Sequence, residues 1–297
     1  MTLASETEPR PSKARADASR ADLGRLARLA HDMLGIDLQP FKSTIVHHRL
    51  ASRIRELGLA GLGEYLDLLE SPGIGDERDR FISAVTTNVT KFFREPHHFD
   101  TLERDVLPAL VARARAGGRV RLWSAGCSSG QEPYSIAACL LALCPEAPRL
   151  DVKILATDVD GEVLDRAKRA RFPAEEVRHL SLARRHALFG PEPSGEALAM
   201  REDVASLVAF HRLNLVDRWP MRQPFDAIFC RNVAIYLDLA VRERLWLRFV
   251  EVLRDGGTLF AGHSERVLGP ALAQLGHAGV TTYRKRPGTA RAQPSGH

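Results

Sequence analysis

The sequence predicts an α/β fold in which a mostly parallel sheet carries helices on both faces. A strand, a glycine turn and a helix start follow one another over residues 120–136, and a second apolar strand at 152–158 ends in an acid. Short apolar runs at 225–230 and 258–261 then suit central strands. Ligands of such doubly wound sheets bind at the carboxyl ends of the strands, so we expect a Rossmann-like sheet with its site at that edge.

The N-terminal part reads as helical. Residues 1–20 are polar and charged, and we expect a flexible tail there. Helical patterns follow, with stops at Gly35 and Gly58, and they continue through 65–69 and 78–85. We predict a helical domain over 21–95 and a linker helix over 96–118. Apolar residues of the first two helices recur at helical spacing: Leu23, Leu26, Ala30 and Met33, then Val46, Leu50, Ile54 and Leu57.

The remainder, 119–283, alternates strands with helices at 132–144, 161–170 and 242–253. The alternation breaks between about 187 and 213, where a Gly-Pro-rich run and a short apolar run predict an inserted hairpin. The end, 284–297, is basic and contains proline and glycine, and we expect a second flexible tail.

The composition limits the classes of partner and the cellular compartment that we expect for the protein. The 297 residues carry a net charge of +5 and a pI near 9.2, which admits nucleic acid, a membrane surface or an acidic protein as partner. Four cysteines form no CxxC pair, which favours reduced thiols and the cytoplasm. No apolar run is long enough to span a membrane and no N-terminal signal core occurs, so we expect no membrane insertion.

The glycine turn predicts the kind of ligand. Gly126 and Gly130 allow a tight backbone turn, but Glu132 occupies the first helical turn, where a phosphate would otherwise bind. Asp158 ends the next strand, a position at which acids accept hydrogen bonds from ribose hydroxyls. Two acids without a P-loop lysine suit a positively charged adenosine ligand that lacks phosphates, such as S-adenosylmethionine.

Four sequence blocks make the prediction more specific. They are Ser124-Ala-Gly-Cys-Ser-Ser-Gly-Gln-Glu-Pro-Tyr-Ser135 at the turn, Thr86-Thr-Asn-Val-Thr-Lys-Phe-Phe-Arg-Glu-Pro-His-His-Phe99 before it, and Phe229-Cys-Arg-Asn-Val-Ala-Ile-Tyr236 and Gly262-His-Ser-Glu265 after it. Taken in their order along the chain, the four blocks resemble the chemotaxis-receptor glutamate O-methyltransferases, the CheR family. The blocks span 180 of the 297 residues.

The resemblance implies a class I methyltransferase sheet, an N-terminal all-helical domain and a small inserted β-subdomain. It implies transfer of a methyl group from S-adenosylmethionine to receptor glutamates, with S-adenosylhomocysteine as the other product. Arg94 and Tyr236 would orient the substrate carboxylate. The cofactor contacts carried over by motif are Asn88, Thr90, Arg94, Glu132, Asp158, Asn214, Leu215, Arg231 and Asn232.

The implied reaction needs little acid-base machinery. A glutamate with a pKa of about 4.3 is ionised at neutral pH, so no general base is required to make it a nucleophile. We therefore expect no metal. The histidines show no HxxxH or HExxH spacing, and the adjacent pairs His47-His48 and His97-His98 are expected to be structural.

The second helix offers a candidate docking surface. It carries four basic residues and no acid between residues 42 and 55. A charge run alone is most often a solvated helix face. The resemblance favours docking on the cytoplasmic helical bundle of chemoreceptors, which is rich in glutamate. The residues of this surface are Lys42, Arg49, Arg53 and Arg55.

Alternatives remain open at the sequence level. A nucleic-acid methyltransferase would suit the basic pI, although no Asn/Asp-Pro-Pro-Tyr/Phe motif occurs. A non-catalytic adaptor could bind S-adenosylmethionine or receptors alone. Single residues also have structural explanations: a helix cap for Asp158, the helix dipole for Glu132, packing for Tyr236 and a salt bridge for Arg94. Gln131 and Ala234 depart from the commonest family wording.

Overall fold

The computed structural model describes residues 18–38, 40–191 and 196–288. Most of both predicted tails, 1–17 and 289–297, therefore lies outside the described residues. The chain begins with a helical domain. The side chain of Ser19 caps its first helix by accepting from the Asp22 N–H at 3.0 Å, and Gly35, at φ 68°, ends it. The four helices are α1 (Arg20–Leu34), α2 (Pro40–Glu56), α3 (Leu62–Glu70) and α4 (Gly75–Val85).

A continuous helical segment links this domain to the sheet. It consists of α5 (Pro96–Thr101), a π-helical turn (Leu102–Val106) and α6 (Leu107–Arg115), where a single helix was predicted. The π turn inserts an extra residue into the helical repeat. It lies between the pocket loop and the first strand.

The central sheet has seven strands in the order β5-β2-β1-β6-β7-β9-β8. The first five strands pair in parallel, and β9 pairs antiparallel with both β7 and β8, so the sheet is doubly wound with antiparallel pairing at one edge. The predicted α/β class is confirmed. The strands are β1 (Val120–Ala125), β2 (Val152–Asp158), β3 (Arg171–Pro173), β4 (Ala197–Ala199), β5 (Val208–Arg212), β6 (Phe225–Cys230), β7 (Leu253–Ala261), β8 (Leu275–Gly279) and β9 (Thr282–Lys285). The remaining helices are α7 (Gln131–Leu143), α8 (Gly161–Arg169), α9 (Leu182–Phe189), α10 (Glu202–Ser206) and α11 (Leu239–Val252).

Two predicted boundaries differ from the structure. The sequence predicts that the apolar run at 207–210 belongs to the insert, but β5 pairs in parallel with β2 and forms the edge of the main sheet. The insert is instead the antiparallel pair β3–β4, with α9 between its strands. The predicted second tail begins at residue 284, whereas β9 continues to Lys285 because it pairs with both β7 and β8.

The core has two main parts, one on each face of the sheet. On one face α1–α4 and α11 pack together against the sheet, so the helical domain shares its core with the α/β domain. On the other face lie α6 and α7. Trp123 and Leu122, neighbours on β1, point to opposite faces and are both fully buried. This shared core holds the end of the helical domain beside the carboxyl edge of the sheet.

Two expectations about the environment can be compared with the structure. All four cysteines are free, as the sequence predicts, and all four are buried. Within the described residues, no helix has the length and apolar character needed to cross a membrane.

Candidate active site

One pocket at the carboxyl edge of the sheet brings the predicted site residues together. Its floor is built by the loops after β1, β2, β5 and β6, and one wall is the chain from Val85 to Lys91, which leaves the helical domain. Leu34 and Ile36 of the same domain also line it. The predicted residues that line the pocket are Asn88, Thr90, Arg94, Glu132, Asp158, Asn214, Leu215, Arg231, Asn232 and Tyr236.

The glycine turn lets a ligand approach the backbone. The N–H groups of Gly126 and Cys127 both donate to the Thr157 carbonyl, at 2.8 and 2.9 Å, which ties the turn to the end of β2. Gly126 has a φ of 80°, and a Cβ added there would lie 2.3 Å from Cγ2 of Val233. A side chain at this position would therefore be both strained and obstructed.

Asp158 holds the two loops that flank it. Its Oδ2 accepts from the Ser128 N–H at 2.8 Å and its Oδ1 from the Asp160 N–H at 3.0 Å. Asp158 is 8% exposed, and burial raises the pKa of its carboxyl group. The helix cap considered for it belongs instead to Asp160, whose side chain accepts from the Glu162 N–H at the start of α8. Asp158 thus organises loops around the pocket.

Arg231 is buried and forms ion pairs with two acidic residues. It is 5% exposed, and its guanidinium lies 3.0 Å from Glu132 and 3.1 Å from Glu95. It also donates to the Arg94 carbonyl. The sequence predicted Arg231 as a cofactor contact, but its guanidinium already has protein partners. The two ion pairs fix the positions of the Glu95 and Glu132 carboxylates relative to each other.

The two carboxylates beside Arg231 have different environments. Oε1 of Glu132 also accepts from the Ser124 hydroxyl at 2.7 Å, and burial raises the pKa of Glu132 although Arg231 opposes it. Burial would also raise the pKa of Glu95, but Arg231 and a hydrogen bond from His263 outweigh it and hold this pKa at about 2. Glu132 therefore does more than interact with the helix dipole, because it also binds the Ser124 hydroxyl and the Arg231 guanidinium.

Arg94 and Tyr236 come from distant parts of the chain: Arg94 precedes the first strand of the sheet, and Tyr236 follows β6. Arg94 is half-buried, and its guanidinium donates to the Val89 carbonyl at 3.0 Å. Among the described side chains it forms no salt bridge, which removes the structural explanation considered for it. Tyr236 is half-buried, and its backbone carbonyl accepts from the Asp37 N–H at 2.9 Å.

Asn88 and Asn214 attach the pocket to both domains. The Asn88 amide donates to Oδ2 of Asp160 at 2.6 Å, and the Asn214 amide donates to the Met33 carbonyl at the end of α1 at 2.8 Å. Asp160 is 1% exposed and also accepts from the Ser83 hydroxyl of α4 at 2.6 Å. The wall from the helical domain is thus hydrogen-bonded to the sheet at the pocket itself.

Glu265 holds the loop that follows β6. Its buried carboxylate accepts from four backbone N–H groups. Asn232 lies in this loop with a φ of 61°, a left-handed conformation that asparagine tolerates better than most residues. These four hydrogen bonds, the Glu265 clamp, fix the backbone between Arg231 and Tyr236. The donors and their distances are Asn232 (2.7 Å), Val233 (2.9 Å), Ile235 (3.2 Å) and Gly262 (2.6 Å).

Comparison with known proteins gives the family. The SAM binding domain of the CheR methyltransferases matches residues 88–282, and their all-alpha domain matches residues 21–86. The chain belongs to the CheR methyltransferase family. A probable chemotaxis protein methyltransferase of Rhizobium etli is 45% identical over 252 residues, which cover 84% of this chain and 94% of that protein. The chemotaxis protein methyltransferase of Escherichia coli is 41% identical over 251 residues, covering 83% and 85%.

Two buried acids of this CheR-family chain were missed as functional residues by the sequence analysis. Asp160 follows Asp158 by two positions, and that spacing was the available signal. Glu265 was noted in the last block of the resemblance but given no role. Both act on backbone or side chains brought in from distant segments, which a local pattern does not reveal.

Proposed function

We propose that this chain transfers the methyl group of S-adenosylmethionine to glutamate side chains of chemoreceptors, producing glutamate methyl esters for sensory adaptation. One observation carries the proposal. In a chain of the CheR methyltransferase family, a single pocket is lined by the two acids Glu132 and Asp158 and by Arg94 and Tyr236. The first pair suits the cofactor and the second pair suits a substrate carboxylate.

The donor set of the pocket fits S-adenosylmethionine. Burial raises the pKa of both Glu132 and Asp158, so a positively charged ligand beside them would favour their ionised forms. Asp158 would accept from the ribose hydroxyls and Glu132 would face the charged part of the cofactor. Arg231 would contribute by holding Glu132 in place. The other expected contacts are Asn88, Thr90, Arg94, Asn214, Leu215 and Asn232.

The reaction is a displacement at carbon. Bound S-adenosylmethionine supplies an electrophilic methyl group on a sulfonium. A carboxylate oxygen of the substrate forms a bond to that methyl carbon while the carbon–sulfur bond breaks, and S-adenosylhomocysteine leaves. The substrate is already ionised at neutral pH, so the residues of the chain align it rather than deprotonate it. Alignment of reactants can contribute about 7 to 11 kcal/mol.

Arg94 and Tyr236 are the residues that would orient the carboxylate. The hydrogen bond to the Val89 carbonyl uses one end of the Arg94 guanidinium and leaves other N–H groups for a second partner. The Tyr236 hydroxyl can donate to a carboxylate oxygen. Two donors of this kind fix both the position and the direction of the nucleophile.

Fewer basic side chains of α2 are available for docking than the charge count indicates. Arg49 donates to the Ala84 and Thr86 carbonyls at 3.1 and 2.9 Å, and Arg53 pairs with Glu77. The side chain of Lys42 lies outside the described residues. Arg55 is exposed. We propose that α2 meets the glutamate-rich receptor bundle in the cytoplasm through Arg55, while Arg49 and Arg53 mainly stabilise the helical domain.

This docking proposal has a matched test. Arg55→Glu should raise KM for receptor-containing membranes, because it reverses a charge that faces the acidic bundle, and should leave the Kd for S-adenosylmethionine unchanged. Arg28→Glu reverses an exposed charge on α1 and serves as control. Equal KM values for both variants would remove α2 from the proposal while leaving methyl transfer intact.

The function is tested by methyl transfer from labelled S-adenosylmethionine to chemoreceptor-containing membranes. We expect base-labile label on a receptor-sized band with the wild type and none with Asp158→Ala, together with loss of cofactor binding in the variant. Cofactor binding without receptor label would refute the proposal. Label that disappears on nuclease treatment would favour a nucleic-acid substrate, and a cellular role that survives Asp158→Ala would favour an adaptor.

A further inference from the structure

Three neighbouring side chains converge beside the pocket. Glu95, His97 and His98 each offer a ligand atom, and these atoms lie within 4.8 Å of one another. In addition, His97 Nε2 and His98 Nδ1 are buried and have no hydrogen-bond partner, while the buried Glu95 Oε2 has the ion pair with Arg231 at 3.1 Å and no hydrogen-bond partner. Buried polar atoms are nearly always paired, so two unpaired ring nitrogens beside this carboxylate indicate a missing partner.

His98 has the contacts of a metal-ligating histidine. Its side chain is fully buried, and its Nε2 lies 3.2 Å from the Val280 carbonyl and 3.0 Å from the Thr281 hydroxyl. A carbonyl only accepts, so the Val280 contact favours the tautomer in which Nε2 carries the proton and Nδ1 presents a lone pair. Metal ligands of this type commonly donate their other ring N–H to a backbone carbonyl. The Nδ1 atom lies 3.3 Å from Glu95 Oε2.

The nearest competitor for a cation is Arg231, whose guanidinium lies 3.1 Å from Glu95 Oε2. Arg231 has a second carboxylate partner in Glu132, at 3.0 Å, and donates to the Arg94 carbonyl. It can therefore keep two partners if Glu95 Oε2 turns to an ion. The two acids outnumber the one guanidinium, so the local charge favours an additional cation.

We propose that Glu95, His97 and His98 form a binding site for a borderline transition-metal cation such as Zn²⁺. Two imidazole nitrogens and one carboxylate oxygen are a known zinc donor set, with water in the fourth position. The site goes beyond the proposed function, because methyl transfer does not require the ion. It also departs from the expectations that the protein binds no metal and that His97-His98 is only structural. The ion would regulate the pocket, since it withdraws Glu95 from Arg231.

The test is calorimetric titration of Zn²⁺ into the untagged, metal-free, full-length chain. We expect one ion per chain, bound at least tenfold more weakly by His97→Ala and by His98→Gln. The glutamine can still donate an amide N–H toward Val280 but lacks the Nδ1 ligand. The control is His48→Ala in the other adjacent histidine pair, whose exposed ring should not contribute.

Three results would overturn the site: no saturable binding to the wild type, unchanged affinity in His97→Ala, or equal loss in the control. Circular dichroism establishes that each variant is folded, and His97→Ala decides the question if the buried His98→Gln is not. Because Zn²⁺ adds positive charge beside the pocket, the zinc-loaded wild type should bind S-adenosylmethionine several-fold more weakly. An equal cofactor Kd with and without zinc would refute the regulatory role.

Discussion

The clamp made by Glu265 predicts a large effect from a small substitution. In Glu265→Gln the amide oxygen can still accept from two of the four backbone N–H groups, while the amide nitrogen faces the other two and cannot accept. Two charge-assisted hydrogen bonds are lost, at about 1.5 to 3 kcal/mol each. We expect the free energy of unfolding to fall by about 3 to 6 kcal/mol.

Urea denaturation followed by circular dichroism measures this loss, and calorimetry with S-adenosylmethionine measures its effect on the pocket. Because Asn232 lies in the clamped loop, the Kd for the cofactor should rise in the same variant. Glu251→Gln makes the same chemical change at an exposed position of α11 and should alter stability by less than about 0.5 kcal/mol. A Glu265→Gln variant as stable as that control would refute the reasoning.

Three further predictions follow from single contacts. Gly126→Ala should lower the free energy of unfolding by about 2 to 4 kcal/mol in urea denaturation, because its Cβ meets Val233 at a positive φ; a neutral effect would contradict this. Asp160→Asn can still cap α8 but cannot accept from the pocket loop, so calorimetry should show a cofactor Kd about tenfold higher, whereas an unchanged Kd would contradict this. Burial would raise the pKa of Glu77, but the hydrogen bond from Arg53 outweighs it and lowers this pKa. The ionised pair therefore stabilises the fold above the unfolded pKa of about 4.3, and this stability is lost as pH falls. Acid titration of Glu77→Gln should show a weaker loss of stability than the wild type, and identical curves would contradict the assignment.

The central strands were predictable because their signal is local. A parallel strand covered on both faces is a continuous apolar run, and β2 and β6 occupy the predicted residues. The run at 207–210 was misassigned because it follows a Gly-Pro-rich stretch, a local sign of a hairpin. Its actual partner is β2, which lies some 50 residues earlier in the chain. Pairing at that distance leaves no trace in local periodicity.

The site shows the same division between local and distant information. The acids Glu132 and Asp158 were predictable because each stands at a strand end or helix start. The role of Arg231 was not, because its partner Glu95 comes from a distant segment that precedes the linker helix and the sheet. The clamp by Glu265 also depends on backbone that only the folded sheet brings together.

Peptide mapping of methylated receptors tests the central claim most directly. Chemoreceptor-containing membranes would be incubated with the wild-type chain and S-adenosylmethionine, and the modified residues located by mass spectrometry before and after mild base. The proposed function predicts methyl esters on glutamates of the cytoplasmic helical bundle that base removes and that are missing with Tyr236→Phe and Arg94→Ala. Base-stable methylation of lysine, arginine or nucleic acid, or no modification despite bound cofactor, would contradict it.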